Sequence, residues 1–404
     1  MDLQTQNQHH YIFNTDLCMQ ILKLLLLKQT PKGSNIVFSP VSINTILSLI
    51  AAGSTGQTLE QLLFFLRSNT ISDLNSLSSQ LLQLFTTKET NNDEEDYIRD
   101  REGPHLSFVN GVWVDRRLSL KPSFRDTAIG IYRAEAAQVD FQTKAADVTK
   151  EVNSWVEHAT NGLIKEILPK GSLGSNTALV LANALYFKGT WNRRFNVSAT
   201  RDREFHLLNG DVVKVPFMAS YPSEQYHYRV CDGFTVLKLP YLSGQDDERQ
   251  FSMYFYLPYE RDGLPNLIEK LNDNPNFLNQ PLQLGKGDFQ DFGIPRFKIS
   301  YGFEASDTLK DLGLVLPFEE DGELSEMVDS EQGCKICVSD IFHRSLIEVS
   351  EEGTEAAAST AALVMSLCLP PKFVADHPFM FMVREEVTGA TLFIGAVLNP
   401  LLEA

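Results

Sequence analysis

The chain has 404 residues, with 35 Lys or Arg against 52 Asp or Glu, which gives a formal net charge of −17. An acidic excess of this size repels nucleic-acid phosphates, and because the sequence has no compensating basic stripe, we expect no nucleic-acid partner. The apolar fraction of 43% and the charged fraction of 22% are typical of a globular protein rather than a disordered one. At roughly 150 residues per domain, the length alone allows two or three domains.

The N-terminal segment and the cysteines indicate the compartment. The N-terminus lacks the basic flank and apolar run of a signal peptide, and the strongest apolar stretch, 21–27, is interrupted by Lys23. That stretch is far shorter than the ~20 residues needed to cross a bilayer, so we expect no membrane partner. Five Cys are too few, and odd in number, for a secreted disulfide framework. We therefore expect a cytoplasmic or nucleocytoplasmic protein, with extracellular release by a non-classical route left open.

Helix is predicted for much of the N-terminal part of the chain. Asn14–Gln29 carries apolar residues near a 3.6-residue period, and Ser39–Pro40 begins a second helix with Pro in its first turn. A third helical pattern covers Thr58–Leu66. The stretch 88–104 is dominated by acidic and amide side chains, and we interpret it as an acidic surface insertion.

Strands and helices alternate irregularly in the remainder of the chain. Leu106–Val114 alternates like a strand, Val148–Ile167 like an amphipathic helix, and Ala178–Leu185 is an apolar run typical of a buried strand. Arg229–Tyr256 is rich in β-forming segments separated by turns. Because no regular strand–helix–strand rhythm, internal repeat or linker is present, the pattern favours an α+β fold and one domain over residues 1–404.

The sequence carries no recognisable catalytic or metal-binding pattern. It lacks the G-x-S-x-G, H-E-x-x-H and G-x-x-x-x-G-K-[ST] motifs, and its eight His are scattered. Cys334-x-x-Cys337 fits a redox pair or half of a zinc site. No second Cys pair or nearby His completes it, so ordinary thiols are the favoured interpretation. We therefore expect no enzyme activity, no catalytic or metal-binding residues and no cofactor.

The segment 351–372 differs from ordinary structure. It begins with acidic residues and Gly353, continues through small side chains, and ends in apolar residues and Pro370–Pro371. The two prolines disfavour helix and strand and suggest an exposed, extended linker. Alternate residues from Thr354 to Ala362 are all small or β-branched, so the segment is also suited to enter a sheet as a central strand. The residues alone favour the tether over the inserted strand, and both interpretations stay open.

Several long motifs resemble segments of one protein family, the serpins, and most closely its plant branch. The resemblance runs from about Leu17 to Pro400. The motifs that carry it are SNIVFSPVSINTILSLIAAGSTGQT (34–58), NALYFKGTW (183–191), IPRFKI (294–299), VSDIFHRSLIEVSEEGTEAAA (338–358), ADHPFMF (375–381) and GATLFIGAVLNP (389–400).

The resemblance implies a fold and a mechanism. The fold would be a single metastable domain of three β-sheets and about nine helices, with an exposed reactive-centre loop over residues 351–373. The mechanism would be suicide inhibition, in which a protease cleaves the loop, becomes covalently attached, and is trapped when the loop inserts into the main sheet. A non-inhibitory binding or scaffold protein of the same fold is the alternative.

The family's loop register implies a reactive bond between Leu367 and Cys368. A Leu before the bond suits chymotrypsin-like serine proteases or papain-like cysteine proteases, whereas no basic residue for a trypsin-like protease occurs near the bond before Lys372. Many plant relatives carry a basic residue there, so this chain departs from them. The implied hinge contains small residues and no Pro, which fits the inhibitory pattern, and it comprises Glu351, Gly353, Thr354, Glu355, Ala356, Ala357, Ala358, Ser359 and Thr360.

Other residues match family positions that support opening of the sheet. Ser39, Ser42, Asn183 and His343 match a polar cluster beneath the strands that must part. Trp191 matches the point where the loop first enters the sheet, and Arg296 and Glu351 match an ion pair at that point. The acidic character of 93–96 argues against activation by a heparin-like glycan. We expect a monomer whose partner is the target protease.

Overall fold

The structure is a computed structural model, and it describes residues 15–85, 103–219, 224–243, 249–274, 276–280, 282–320, 322–329, 336–351 and 370–403. Most of the predicted acidic insertion 88–104 and most of the predicted loop 351–373 lie outside these residues. Among the described residues, no helix combines the length and the apolar character needed to cross a bilayer.

Nine α-helices lie within the described residues. They are α1 (Thr15–Gln29), α2 (Pro40–Ala52), α3 (Gly56–Phe65), α4 (Ile71–Gln83), α5 (Pro122–Gly130), α6 (Phe141–Ala159), α7 (Leu264–Asp273), α8 (Asn276–Asn279) and α9 (Ser306–Asp311). Helix α2 begins where the sequence predicts, because the Ser39 Oγ accepts a hydrogen bond from the Ser42 N–H at 3.1 Å and Pro40 occupies the first turn.

Eighteen strands lie within the same residues. They are β1 (Ile36–Phe38), β2 (His105–Asp115), β3 (Ser119–Leu120), β4 (Ala134–Val139), β5 (Leu179–Lys188), β6 (Arg201–His206), β7 (Val212–Met218), β8 (Tyr226–Cys231), β9 (Phe234–Pro240), β10 (Phe251–Pro258), β11 (Gly285–Gly287), β12 (Asp291–Pro295), β13 (Phe297–Glu304), β14 (Val328–Asp329), β15 (Asp340–Val349), β16 (Lys372–Val374), β17 (Phe379–Glu385) and β18 (Thr391–Val397).

The described strands form three large sheets and one short ribbon. A five-stranded sheet has the order β13-β15-β5-β2-β4, and a seven-stranded sheet has the order β1-β18-β17-β10-β9-β8-β11. A four-stranded sheet runs β16-β12-β7-β6, and β14 pairs with β3. Helices and strands are mixed without a parallel α/β rhythm, so the predicted α+β class and the three main sheets are confirmed.

The five-stranded sheet is buried on both faces, which explains the long apolar run of β5. Alternate β5 residues such as Leu181 and Leu185 belong to the main core, whereas Val180 and Ala184 belong to a second core that includes α6 side chains. All of β5 except Lys188 is buried. Asn183 is on the same face as Leu181 and Leu185, so an amide side chain lies among apolar residues in the middle of the molecule.

Helix α6 differs from the predicted helix Val148–Ile167 at both ends. It begins at Phe141, where the Asp140 carboxylate caps it by accepting the Thr143 N–H at 2.9 Å. It ends at Ala159, because Asn161 and Gly162 take left-handed backbone angles of φ 51° and 80°. The prediction for residues 160–167 was therefore wrong: Ile164 and Ile167 pack into the second core without being helical, and Leu163 is exposed.

Candidate functional site

The candidate site begins with the two parallel strands in the middle of the five-stranded sheet. β15 pairs with β5 in a register that runs from Asp340 opposite Val180 to Ile347 opposite Phe187. β15 ends at Val349, and the predicted loop follows directly after it. A strand inserted between β5 and β15 would have to break this pairing along its whole length. We call the line between these two strands the seam.

Two of the predicted polar residues face each other across the seam. His343 of β15 lies directly opposite Asn183 of β5, and the His343 Nδ1 is 3.3 Å from the Asn183 Oδ1. The other ring nitrogen of His343 accepts the Ser39 N–H at 3.0 Å, and the Ser345 hydroxyl lies 2.9 Å from it. Because Nε2 accepts, the proton of the neutral ring is on Nδ1, which donates to Asn183. The three hydrogen bonds join β5, β15 and the start of α2.

The network continues beyond the predicted residues into β2. The Asn183 amide donates to the Asn110 Oδ1, and the Asn110 amide donates to the Tyr132 carbonyl at 3.0 Å. The Tyr132 hydroxyl donates to the Asn75 Oδ1 at 2.6 Å. The sequence carried a signal for Asn110, since it is an amide that lies between apolar residues in the middle of the predicted strand. We call the hydrogen-bonded group of Ser39, Asn110, Asn183, His343 and Ser345 the seam network.

Burial fixes the charge of the seam network. His343 is 1% exposed, and burial lowers the pKa of its imidazole from 6.5 to about 3. The ring is therefore neutral at physiological pH, and the network is held by hydrogen bonds between uncharged groups. Loss of either partner would leave a buried polar group without a hydrogen bond, which costs about 1–3 kcal/mol per group.

Ser42 differs from the other predicted residues of this cluster. Its backbone N–H bonds to Ser39, but its buried hydroxyl has no hydrogen-bond partner among the described residues. The seam network therefore includes Ser39, Asn183 and His343 through their hydrogen bonds, whereas Ser42 contributes through its backbone alone. A buried hydroxyl without a hydrogen bond lowers the stability of the fold at this position.

Trp191 holds the chain just beyond the end of β15. Its indole Nε1–H donates to the Ser350 carbonyl at 2.8 Å. The ring stacks on Tyr241, with ring centroids 4.4 Å apart and an interplanar angle of 12°, and it is 3% exposed. Because the ring is fixed by this packing, its one donor is directed at the last residues before the predicted loop.

Arg296 and Glu351 form the predicted ion pair. The Arg296 Nε donates to the Glu351 Oε1 at 2.6 Å, and Nη2 and the Thr200 hydroxyl also contact this oxygen. Burial raises the pKa of Glu351, but hydrogen bonds from Arg296 and Thr200 and the guanidinium charge outweigh burial, so the pKa is lowered overall. The Glu351 side chain is only 4% exposed, so this pair differs from the weak ion pairs of a protein surface. Trp191, Arg296, Thr200 and their contacts to Ser350 and Glu351 form what we call the anchor.

The remaining predicted site residues are outside the described part of the chain. These are Gly353 to Thr360 of the hinge, and Leu367 and Cys368 of the reactive bond. Beyond the loop, Lys372 to Val374 form β16, which pairs in parallel with β12 from Asp291 to Gly293. Both flanks of the predicted loop, Glu351 and β16, are therefore fixed in the fold.

The described cysteines fit ordinary thiols. Cys18, Cys231 and Cys337 are free, and burial raises the pKa of the Cys231 and Cys337 thiols. Cys334 lies outside the described residues, so the Cys334-x-x-Cys337 pair is not tested. The described residues contain no cluster of three or more potential metal ligands.

Comparisons with known proteins agree with this fold. The family model described as "Serpin (serine protease inhibitor)" matches residues 13–400. The chain is 50% identical over 375 residues to Serpin-ZXA of Oryza sativa subsp. japonica, covering 92% of both chains. It is 49% identical over 376 residues to Serpin-ZX of Arabidopsis thaliana, covering 92% of this chain and 93% of the relative.

A solved structure extends the likeness to three dimensions. The native stressed conformation of the Arabidopsis protein AtSerpin1 matches with a TM-score of 0.87 at 46% identity, covering 96% of this chain and 97% of that chain. The family match and the relatives together define a protease inhibitor rather than an enzyme. The chain belongs to the serpin family, and plant serpins are among its similar relatives.

Proposed function

We propose that this serpin is an irreversible suicide inhibitor that accepts its own cleaved loop into the seam. The observation that carries the proposal is the direct continuation of β15, the parallel partner of β5, into a segment of small residues without Pro. After cleavage, residues 353–367 would enter between β5 and β15 as a new strand. The core-facing side chains from Thr354 to Ala362 are small enough to pass between the existing strands.

The chemical step follows from the bond that is attacked. The serine oxygen or cysteine sulfur of the protease attacks the Leu367 carbonyl carbon, and the Leu367–Cys368 amide bond breaks. The proton of the nucleophile goes to the Cys368 nitrogen, which leaves as a new amino terminus, and Leu367 stays on the protease as an ester or thioester. Insertion of the loop would then move the attached protease before water can release it.

The target class follows from Leu367. An apolar primary pocket gains about 2 kcal/mol from a fully buried Leu side chain. We propose chymotrypsin-like serine proteases or papain-like cysteine proteases that accept Leu as targets, acting on a monomeric inhibitor. No Arg or Lys lies next to the bond, and the first basic residue after it is Lys372. A protease that requires Arg or Lys before the bond is therefore not expected to be trapped.

The proposal is tested by mixing the protein with chymotrypsin and with papain. We expect a complex that survives boiling in detergent, together with a released C-terminal fragment that mass spectrometry shows to begin at Cys368. Trypsin, tested in parallel, is expected to give no such complex. Cleaved inhibitor without any stable complex, at every ratio and with both Leu-accepting proteases, would instead support the non-inhibitory alternative.

A matched pair of hinge variants separates cleavage from insertion. Thr354→Arg places a long charged side chain in the core-facing set, so the loop should still be cleaved but the protease should be released. Glu355→Arg puts the same side chain in the outward-facing set and should keep the stable complex. Equal behaviour of the two variants would contradict insertion as a strand.

A further inference from the structure

Three basic residues lie side by side on neighbouring strands of the seven-stranded sheet. Lys286 of β11 is directly opposite His227 of β8, and His227 is directly opposite Lys238 of β9. His227 lies between the two lysines, so the row places two positive charges on either side of an imidazole. In a chain with a net charge of −17, such a row is not a consequence of composition. A local cluster of cations in an acidic chain is a reason to look for an anionic ligand.

The positive charge in this row is only partly neutralised. Lys238 has a carboxylate partner, since its Nζ is 3.0 Å from the Glu386 Oε1. Within the described part of the chain, neither Lys286 nor the nearby Arg193 makes an ion pair or a side-chain hydrogen bond. Burial lowers the pKa of His227, and the positive charges of Lys238, Lys286 and Arg193 lower it further. The three cations therefore lie close to the imidazole.

The row borders a cavity with an apolar floor. The cavity measures about 130 Å³, and Arg193, His227, Lys238 and Lys286 all line it. Its aromatic lining consists of the buried side chains Trp191, Phe195 and Tyr226. An apolar cavity of roughly 150 Å³ accommodates benzene, so this space is suited to one six-membered ring.

Carboxylates at this cavity are fewer than cations. Glu224 is the acidic residue among the described residues that line it, against the lysines, Arg193 and the imidazole of His227. Glu386 lines the neighbouring cavity instead and is engaged by Lys238 and by the Tyr254 hydroxyl at 2.9 Å. A ligand with one negative charge would therefore meet a net positive rim.

We propose that this cavity binds a small aromatic carboxylate. The ring packs against Trp191, Phe195 and Tyr226, and the carboxylate is held by Lys286 and Arg193 at the rim. A bound carboxylate also offsets the repulsion among the positive charges of Lys238, Lys286 and Arg193. The site is independent of the Leu367–Cys368 bond, so it does not rest on the proposed inhibition.

The proposal is tested by ligand-observed NMR titration of the full chain with benzoate, benzamide and inorganic phosphate. Benzoate carries both ring and charge, benzamide keeps the ring without the charge, and phosphate keeps the charge without the ring. We expect saturable binding of benzoate in the millimolar range or tighter, and at least about tenfold weaker binding of the other two. Equal binding of benzamide or phosphate would overturn the assignment of a ring with a carboxylate.

Lys286→Gln is the decisive variant, because Lys286 is exposed and engages no described partner. We expect it to weaken benzoate binding about fivefold to tenfold, while the thermal midpoint without ligand stays about the same, because changes at exposed charges cost little. Lys170→Gln, at an exposed lysine remote from the cavity lining, should leave binding unchanged. Lys286→Glu should abolish binding. Unchanged affinity in both Lys286 variants, or no binding of benzoate to the unaltered protein, would refute the site.

Discussion

Strand β15 is held at two places by different chemistry: at its middle by neutral hydrogen bonds of the seam network, and beyond its end by the charged anchor. The seam network is buried, and its His343 is uncharged. The anchor pairs a buried Glu351 with a half-exposed Arg296. The difference indicates how one strand can be both closed and releasable. The middle resists opening because each lost bond leaves a buried polar group, whereas at the end the half-exposed Arg296 can exchange its carboxylate partner for water.

The largest loss of stability is expected from breaking the seam network at the middle of β15. His343→Ala leaves the buried Ser39 N–H without an acceptor, removes the bond across the seam to Asn183, and leaves space behind. We expect a loss of about 3 kcal/mol or more in the first unfolding transition in urea. Ser345→Ala is the matched control, because Nε2 of His343 keeps its bond to Ser39, and it should cost about 1 kcal/mol. Equal costs for the two variants would show that the seam bond contributes nothing.

A smaller loss of stability is expected at the anchor, where replacing Arg296 should cost more than replacing Glu351. Arg296→Met leaves the buried Glu351 carboxylate without its charged partner, so we expect a loss of about 3 kcal/mol or slightly less. Glu351→Gln leaves Arg296 free to be hydrated, because its side chain is 39% exposed, and should cost about 1 kcal/mol. Urea unfolding of both variants measures the asymmetry. If Glu351→Gln were the more damaging change, the account of the anchor would be wrong.

The seam network and the anchor also differ in how their contributions to stability depend on pH. His343 has a pKa of about 3 in the fold against 6.5 when exposed, so the unfolded chain binds the proton first as pH falls. The stability from this group is complete above pH 6.5 and is lost as pH falls towards 3, which amounts to about 2 kcal/mol between pH 7 and pH 5.

The urea stability of His343→Gln should therefore fall less between pH 7 and pH 5 than that of the unaltered protein. Glu351 also has a lowered pKa, so its contribution is present above its ordinary value of 4.5 and is lost only at more acidic pH. Identical pH profiles for the unaltered protein and His343→Gln between pH 7 and pH 5 would contradict a buried neutral imidazole.

The smallest effect is expected from Trp191→Phe. Phe keeps an aromatic ring against Tyr241 but cannot donate to the Ser350 carbonyl. We expect a loss of about 1 kcal/mol from the hydrogen bond and the smaller ring, and faster formation of the protease complex because the end of β15 is released earlier. Stopped-flow inhibition rates and urea unfolding measure the two effects separately. A slower reaction with the protease would argue that Trp191 assists insertion rather than holding the closed state.

Much of this architecture could be predicted from the sequence, because apolar periodicity and capping are local. The start of α2 at Ser39–Pro40 and the buried strand at β5 were predicted correctly on that basis. The C-terminal half of the helix predicted for Val148–Ile167 was wrong, because buried apolar residues in an irregular segment have the same spacing as a helical face.

The site was predicted less completely, and the reason is physical. The family resemblance identified Ser39, Asn183 and His343, whereas Asn110 joins the network through the register of β2 with β5, and Ser345 lies two residues after His343 on the same strand. Likewise, the burial of Glu351 depends on the three-dimensional approach of Arg296 and Thr200, which are far apart in sequence. The row of Lys286, His227 and Lys238 was invisible for the same reason, because its members come from three separate strands.

The central claim, that the seam opens to accept the loop, is tested most directly by the thermal midpoint before and after cleavage at Leu367–Cys368. A cleaved loop that inserts adds a strand between β5 and β15, so the midpoint of the cleaved protein should lie far above that of the intact one. The Thr354→Arg variant, cleaved at the same bond, should show little of this rise. A midpoint unchanged by cleavage of the unaltered protein would contradict the account.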